Sequence, residues 1–256
     1  MPDIVQHSVK ALARALDPLA VESWPARATQ MVDGWLLRFS EGYSSRSNSV
    51  SALEYSGTSL NESIARVERA YRREGLTPQF QISPATQPEG LEAVLRMRDY
   101  IAKPSTAVMI AEARGLAEAG SVRVLGAADA DFVRLTREGS HSLADGDERL
   151  TTLARIALPK AFVIVREGEE SVSCGASIAT ADWASVYVMR TTPSHRGKGH
   201  GKRVLGAIAA WALSQGASNL YLQVDEANAP ARSLYDRAGF RDGYRYLHYY
   251  LPESSP

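Results

Sequence analysis

The chain has 256 residues, of which 29 are Lys or Arg and 29 are Asp or Glu, so its formal net charge at pH 7 is zero. With 45% hydrophobic and 23% charged residues, it has the composition of a globular protein of one or two domains. The charge balance excludes a broadly basic nucleic-acid-binding protein. No segment approaches the roughly 20 apolar residues that cross a bilayer, and the N-terminus lacks a signal-peptide pattern, so we expect a cytoplasmic protein.

The first half of the sequence predicts an opening helix followed by alternating strands and helices. Apolar residues recur every three or four positions in residues 4–20, which indicates an amphipathic helix. Short alternating runs indicate strands, and Gly75 after an apolar stripe marks a helix end. The elements predicted after the first helix are strands Trp35–Phe39 and Asn48–Leu53, helix Leu60–Gly75, strand Gln79–Ile82, helix Gly90–Ile101 and strand Ala107–Ile110.

The segment Glu112–Gly120 is small, polar and poor in apolar residues, so it is the predicted junction between a domain of residues 1–118 and one of residues 119–256. The elements predicted after it are strand Val122–Leu125, helices Asp131–Glu138 and Glu148–Leu158, strands Ala161–Val165, Ser171–Ala179 and Ser185–Thr191, helix Lys202–Gln215, strand Asn219–Val224, helix Ala229–Ala238 and strands between Phe240 and Leu251. The last five repeat the strand-helix-strand-helix-strand order of residues 48–110. This repeated order predicts an internal structural duplication in an α/β protein.

The sharpest sequence motif runs RGKGHGKR from Arg196 to Arg203, between a predicted strand and a predicted helix. Glycines at alternate positions let backbone amides converge on an anion at the positive end of the following helix. The window from Trp183 to Val224 also indicates an anionic ligand, because it contains five basic residues and no Asp or Glu. The nucleotide P-loop and the G-x-G-x-x-G pattern both fail at this loop. A phosphate cradle of another kind is therefore predicted, and the alternative is a flexible, solvated basic turn.

A second motif extends from Asn228 to Phe240. Asn228 is a good helix N-cap, Pro230 fits the first helical turn and Gly239 ends the helix, so each has a structural explanation. Tyr235 lies on the same predicted helix. Core packing is the commoner role for a tyrosine in such a helix, and proton transfer is the functional alternative.

Together the two motifs resemble those of the GNAT superfamily of N-acetyltransferases, whose acetyl-CoA signature is Arg or Gln, two residues, Gly, one residue, then Gly or Ala. The resemblance covers residues 119 to 251 and implies an acetyl-CoA-dependent N-acetyltransferase. It implies that amides around the glycine loop hold the CoA pyrophosphate, that strand backbone pairs with the pantetheine arm, and that Tyr235 protonates the departing thiolate. The cofactor-binding residues that it implies are Met189, Thr191, Arg196, Gly197, Lys198, Gly199, His200, Gly201, Lys202 and Asn228.

The first half resembles the cofactor-free N-terminal domain of bacterial tandem GNAT proteins in the stretches Asp33–Arg38 and Arg46–Val50. Where the second half has its basic loop, the first half has Glu54–Leu60, with one glycine and no cation. This segment lacks convergent donors for a pyrophosphate. We therefore expect two packed GNAT-like domains, a degenerate one followed by a catalytic one, each with a mixed, mostly antiparallel sheet flanked by helices.

The general base is left open by the sequence. The strand before the glycine loop carries Ser185 and Tyr187 where the family has a glutamate. A water chain or an acceptor that arrives deprotonated would also serve. The remaining candidate bases are Asp182, Asp225, Glu226 and His141.

Partners and metals follow from the same residues. His195 and His200 flank the loop without a third ligand, and the single cysteine, Cys174, is predicted to be a core residue, so no metal site and no internal disulfide are expected. We expect a small-molecule primary amine that attacks directly in a ternary complex, no nucleic-acid or membrane partner, and a monomer or homodimer. The alternatives are a protein amino group, a different acyl donor, and a non-catalytic acyl-CoA sensor.

Overall fold

The computed structural model describes residues 9–117 and 122–252, and these form two compact units. The first unit holds the described residues up to Ala107 and those from Tyr244 onward, and the second holds those from Val108 to Gly243. The helices are α1 (Val9–Ser23), α2 (Leu60–Arg73), α3 (Leu91–Met97), α4 (Ala113–Leu116), α5 (Ala130–Glu138), α6 (Leu143–Arg155), α7 (His200–Ser214) and α8 (Ala229–Arg237). The strands are β1 (Ala28–Val32), β2 (Trp35–Phe39), β3 (Val50–Ser51), β4 (Gln79–Ile82), β5 (Ile101–Ala102), β6 (Thr106–Glu112), β7 (Arg123–Leu125), β8 (Lys160–Glu167), β9 (Glu170–Thr180), β10 (Trp183–Thr191), β11 (Asn219–Asp225) and β12 (Arg241–Tyr250).

The first unit is built on a mixed sheet in the order β1-β2-β3-β4-β12, and β5 also pairs with β12. The β3–β4 pair is parallel and the other pairs are antiparallel. Alternate residues of these strands point to one face, where Trp35, Phe80 and Tyr249 join the apolar side chains of α2 and α3. Trp35 and Phe80 meet edge to face, with ring centroids 5.4 Å apart. This apolar layer is the core of the first unit.

The second unit is built on a mixed sheet in the order β6-β11-β10-β9-β8-β7. The β10–β11 pair is parallel, whereas β7, β8, β9 and β10 pair antiparallel. The first unit has the same arrangement around its parallel β3–β4 pair. Helix α7 lies against the sheet at Gly175, where an added Cβ would come within 2.6 Å of Val204 Cγ1 and 2.7 Å of Met189 Sδ. The glycine therefore lets helix and strand approach closely.

Helix α7 begins differently from the other long helices of the second unit. Asp129, Ser142 and Asn228 cap α5, α6 and α8 by accepting a backbone N–H with their side-chain oxygens. At α7 the N-cap is Gly199, which has no side chain to accept, and the first turn carries no acidic residue. The first turn of α7 thus has no side-chain cap at its N-terminus.

The predicted fold class is confirmed, and the element positions differ from prediction in several places. The helix predicted at Gly90–Ile101 ends at Met97, and the short elements β5 and α4 were not predicted. The helix predicted at Glu148–Leu158 begins earlier, at Leu143, because the Ser142 hydroxyl caps it. The sequence reading missed β1, since most of this strand is exposed and lacks an apolar alternation. Residues 4–8 of the predicted first helix lie outside the described residues, and the described helix continues to Ser23.

The compact units differ from the predicted domains in the last strand of each half. Residues 244–250 of β12 belong to the first unit because they pair with β4 and β5, for example Leu247 with Ile82. Residues 108–112 of β6 belong to the second unit, next to β11. The predicted junction runs through the end of β6 and α4, and residues 118–121 lie outside the described residues. The composition of each unit therefore follows the hydrogen-bonded pairing of the strands rather than their order along the chain.

Candidate functional site

Strands β10 and β11 pair over only part of their length. Their parallel register runs from Trp183 opposite Asn219 to Val186 opposite Leu222, and no pair is formed beyond it among the described residues. Just past this point β10 contains an irregularity against β9, and Val188 adopts a positive φ of 51°. A bulge of this kind bends a strand and ends its pairing on one side. The backbone of residues 189–191 is therefore open toward the groove beside it.

The glycine loop follows directly and leads into α7. Gly197 and Gly199 have φ angles of 77° and 83°, in the left-handed region that glycine adopts at low cost. An added Cβ at either position would meet nothing within 4 Å, so the requirement for glycine is conformational rather than steric. Because the α7 N-terminus is uncapped by side chains, its N–H groups and the positive end of the helix dipole favour an anion at this loop.

A groove of about 1030 Å³ joins the open stretch of β10 to the glycine loop and to α8. All of the predicted cofactor residues except Lys198 line it. The groove is also lined by residues that the sequence reading did not assign to the cofactor, which are Gly139, Arg190, His195, Pro230, Ala231, Ser233, Leu234, Arg237 and Ala238. Lys198 instead lies 3.5 Å from the Glu167 carboxylate. The structure thus places the two sequence motifs on one continuous surface.

The loop is less positive than its sequence indicates, because Glu167 reaches it from the end of β8. One oxygen of this carboxylate lies 3.0 Å from His200 Nε2 and 3.5 Å from both His195 Nε2 and Lys198 Nζ. The hydrogen bond from His200 is the main cause that lowers the pKa of Glu167. No local pattern identifies this residue, since it precedes the acid-free window and meets the loop only through the folding of the sheet.

Tyr235 and Asn228 occupy different positions at α8. Asn228 lines the groove, and its side-chain oxygen accepts the Ala231 N–H at 3.2 Å, so it acts as the helix cap. Tyr235 is 7% exposed and does not itself line the groove. Its ring meets Phe240 edge to face at 5.8 Å, and the side chain interacts electrostatically with the Arg190 guanidinium, which does line the groove.

None of the candidate bases lines the groove. Asp182, Asp225 and His141 are exposed, and Asp225 is engaged in accepting the Ala227 N–H at 2.9 Å. Glu226 is half-buried and also lies outside the groove lining. The buried carboxylates of this unit, which the sequence reading missed, are Asp145 and Glu148 on α6.

The described ranges contain no group of three or more His, Cys, Asp or Glu side chains that could together hold a metal ion. Cys174 is buried in β9, and burial raises the pKa of its thiol to about 12, so it is a core residue rather than a nucleophile. Among the helices formed by the described residues, none has the length and apolarity needed to cross a membrane.

Comparisons with known proteins identify acetyltransferases as similar to this chain. A model of the family described as "Probable histone acetyltransferase Rv0428c C-terminal" matches residues 11–249. A Bacillus subtilis (strain 168) protein described as an uncharacterized N-acetyltransferase, YobR, is 28% identical over 245 aligned residues, covering 89% of this chain and 94% of the relative.

Two solved structures share the fold over nearly the whole chain. A GCN5-related N-acetyltransferase from Kribbella flavida has a TM-score of 0.71 at 15% identity, covering 95% of this chain and 96% of the other. A tandem GNAT protein from the clavulanic acid biosynthesis pathway has a TM-score of 0.62 at 12% identity, covering 94% of this chain and 89% of the other. At these identities the likeness concerns the fold.

Proposed function

Because the chain belongs to the GNAT acetyltransferase family described as "Probable histone acetyltransferase Rv0428c C-terminal", we propose that it transfers the acetyl group of acetyl-CoA to a primary amine by direct attack in a ternary complex. The observation that carries this proposal is the groove that runs from the open backbone of β10 to the uncapped N-terminus of α7. It offers strand hydrogen-bonding groups at one end and an anion site at the other.

The residues present fit a CoA-type molecule. At the loop end, the N–H groups at the start of α7 bind the pyrophosphate, and Arg196 and Lys202 add positive charge beside it. At the strand end, the backbone of Met189 and Thr191 has no strand partner on the β11 side among the described residues, and it is proposed to bind the amides of the pantetheine arm as an added strand would. The carbonyls of these two residues accept from the side chains of Arg190 and Arg196, at 3.0 and 3.3 Å. When bound, acetyl-CoA supplies an acetyl group already activated as a thioester.

Tyr235 is the proposed general acid. Its side chain is buried, and it acts electrostatically on Arg190, which lines the groove. The hydroxyl is proposed to donate its proton to the sulfur only as the thioester breaks. Its contribution then belongs to the transition state and hardly to acetyl-CoA affinity.

The test is thiol release from acetyl-CoA across a panel of primary amines, with wild type and Tyr235→Phe. The phenylalanine ring keeps the contact with Phe240, so we expect kcat to fall roughly 100-fold, the lower end for a general acid. The melting temperature and the acetyl-CoA Kd should stay near wild type. Tyr221→Phe is the matched control, because it removes a buried hydroxyl from β11 away from the groove. Wild-type turnover in Tyr235→Phe would show that another group or water protonates the thiolate.

A single cofactor site per chain is the second expectation. In the first unit, the segment between β3 and α2 packs Tyr55 against Ser63, and the Asp33 carboxylate accepts hydrogen bonds from Ser63 and Arg66 beside the first turns of α2. The Ser59 hydroxyl accepts the Glu62 N–H, so the start of α2, unlike that of α7, is capped by a side chain of its own. Calorimetry with CoA should give one site per chain, and two equivalent sites would refute a degenerate first copy.

A protein amino group is the second candidate acceptor, because the description of the matching family names a histone acetyltransferase. Mass spectrometry of proteins incubated with the chain and acetyl-CoA distinguishes it from a small amine. The N-acetyltransferase names of the relatives do not favour a non-catalytic sensor, and turnover on any amine excludes one.

A further inference from the structure

Arg190 lines the groove, as does Arg196 of the glycine loop. It follows the bulge of β10, and its side chain crosses Gly139 at the end of α5, where an added Cβ would lie 2.2 Å from Arg190 Cδ. Gly139 therefore leaves the room in which this side chain lies. The guanidinium lines both the groove and a small adjoining cavity of about 50 Å³.

Most hydrogen-bond donors of Arg190 have no acceptor in the described structure. Nη1 donates to the Met189 carbonyl at 3.0 Å, whereas Nε is buried and has no partner. No ion pair of Arg190 is found among residues 9–117 and 122–252. Burial, followed by repulsion from Arg149, lowers the pKa of Arg190. A partly dehydrated guanidinium without an anion is unfavourable, so this arrangement favours an anionic ligand.

The carboxylates near Arg190 already pair with other groups. Asp145 lies 2.9 Å from Arg149 Nη2 and also accepts the His141 N–H at 3.2 Å. Glu138, which lines the small cavity, accepts from Arg134 at 3.0 Å. Of the other groups that act on Arg190, Cys174 is a thiol whose pKa is raised by burial to about 12, and Tyr235 is a phenol rather than a carboxylate. The positive charge of Arg190 is thus left in excess.

The pyrophosphate of the cofactor already has donors of its own in the proposed site, the N–H groups at the start of α7. Arg190 lies instead against Met189 and Gly139, and it is acted on electrostatically by Tyr235, the proposed acid at the departing sulfur. The acceptor is the other ligand that must approach the sulfur end of the groove. A carboxylate presents two oxygens in one plane, which match two N–H donors on one guanidinium edge.

We propose that Arg190 binds a carboxylate of the acceptor, so that the acceptor is an amine that also carries a carboxylate, as an amino acid does. This specificity assignment rests on the acetyltransferase function proposed above. It requires only that the amine and the carboxylate of one molecule reach the thioester end of the groove together.

The experiment compares matched acceptors with the full chain and saturating acetyl-CoA. Each common amino acid is tested beside its primary amide and its decarboxylated amine, and kcat/KM is measured by thiol release. We expect the acid to exceed its amide by roughly 30-fold or more, through KM, since the amide leaves the buried charge unpaired. Arg190→Gln should abolish this preference and Arg190→Lys should retain part of it. A loss of CoA affinity in Arg190→Gln, with the acid-over-amide preference intact, would assign the guanidinium to the cofactor and overturn the carboxylate subsite.

Arg166→Gln is the charge-matched control, because Arg166 is an exposed cation near the end of β8 outside the groove, and it should keep the preference. Equal kcat/KM for acid and amide in wild type, or a preference that survives in Arg190→Gln, overturns the carboxylate subsite while acetyl transfer to amines still stands. A stronger preference for phosphorylated amines that Arg190→Gln removes overturns the choice of carboxylate. Absence of thiol release with every amine overturns the proposed function itself and this inference with it.

Discussion

A negative charge introduced at Gly201 tests whether the glycine loop and the start of α7 bind an anion. Gly201 is the second residue of α7 and lines the groove. An added Cβ would lie 2.9 Å from Leu234 Cδ2, the far end of a flexible side chain, so a larger residue fits after a small shift of Leu234. Asn and Asp at this position have the same shape and differ in charge. Comparing Gly201→Asp with Gly201→Asn therefore separates electrostatics from bulk.

The expected size follows from Coulomb's law. Two unit charges about 5 Å apart repel by about 0.8 kcal/mol in water and by about 3 kcal/mol at an effective dielectric constant of about 20. A pyrophosphate with two negative charges at this loop would therefore bind at least about 10-fold more weakly to the Asp variant than to the Asn variant. The same carboxylate lies at the positive end of α7, where it stabilises a helix by about 0.3–1 kcal/mol.

The two effects have opposite signs, which makes the test specific. Calorimetry with CoA should rank affinity as wild type, then Asn, then Asp, while the melting temperature of the cofactor-free Asp variant should equal or exceed that of the Asn variant. The affinity gap should shrink as salt is raised, since the charges are near the surface. Equal CoA affinity of the two variants would show that the pyrophosphate is not bound at α7 and would refute the cradle.

Two further predictions concern stability. Gly199→Ala forces a side chain into a φ of 83°, so it should lower the free energy of unfolding by about 1 kcal/mol and also weaken CoA binding. Gly216→Ala, at a φ of 86° after the other end of α7, should lower stability alone. A CoA Kd that changes equally in both variants would contradict a specific role of the loop. Burial raises the pKa of Asp17 despite the hydrogen bonds that its carboxylate accepts from Ser83 and Tyr244. The stability that Asp17 contributes is therefore present below the pKa of the unfolded state and is lost as the pH rises through the pKa of the folded state. Asp17→Asn should raise the melting temperature at pH 7 and lose this advantage at low pH, and a lower melting temperature at pH 7 would contradict this reasoning.

The parts of the site that are local in sequence could be predicted from it. The glycine spacing, the cations of the loop and the Asn228 cap belong to short segments whose geometry depends on neighbouring residues, and the structure brings these segments to one groove. Their roles stay predictions that the variants above test. The mixed α/β class was also accessible, because period and turn residues define elements without knowledge of their partners.

The parts that depend on strand pairing could not be predicted. Glu167 meets the loop, and Arg190 meets Gly139, only after β8, β9 and β10 have assembled. The burial of Asp145 and Glu148 depends likewise on how α6 packs, so the candidate bases were sought among exposed turn residues instead. Contacts distant in sequence have no periodic pattern that a single chain displays.

The last strand of each half of the chain lies largely in the sheet of the other unit, which gives the first half a structural role that does not depend on catalysis. Residues 108–112 of β6 come from the end of the first half in chain order, yet they lie beside β11 in the sheet of the second unit. A chain cut at the predicted boundary after residue 118 would leave β11 with unpaired N–H and C=O groups along one edge. Because β11 pairs with β10 up to the point where the groove opens, the first half supports the sheet that positions the site even if it binds no cofactor itself.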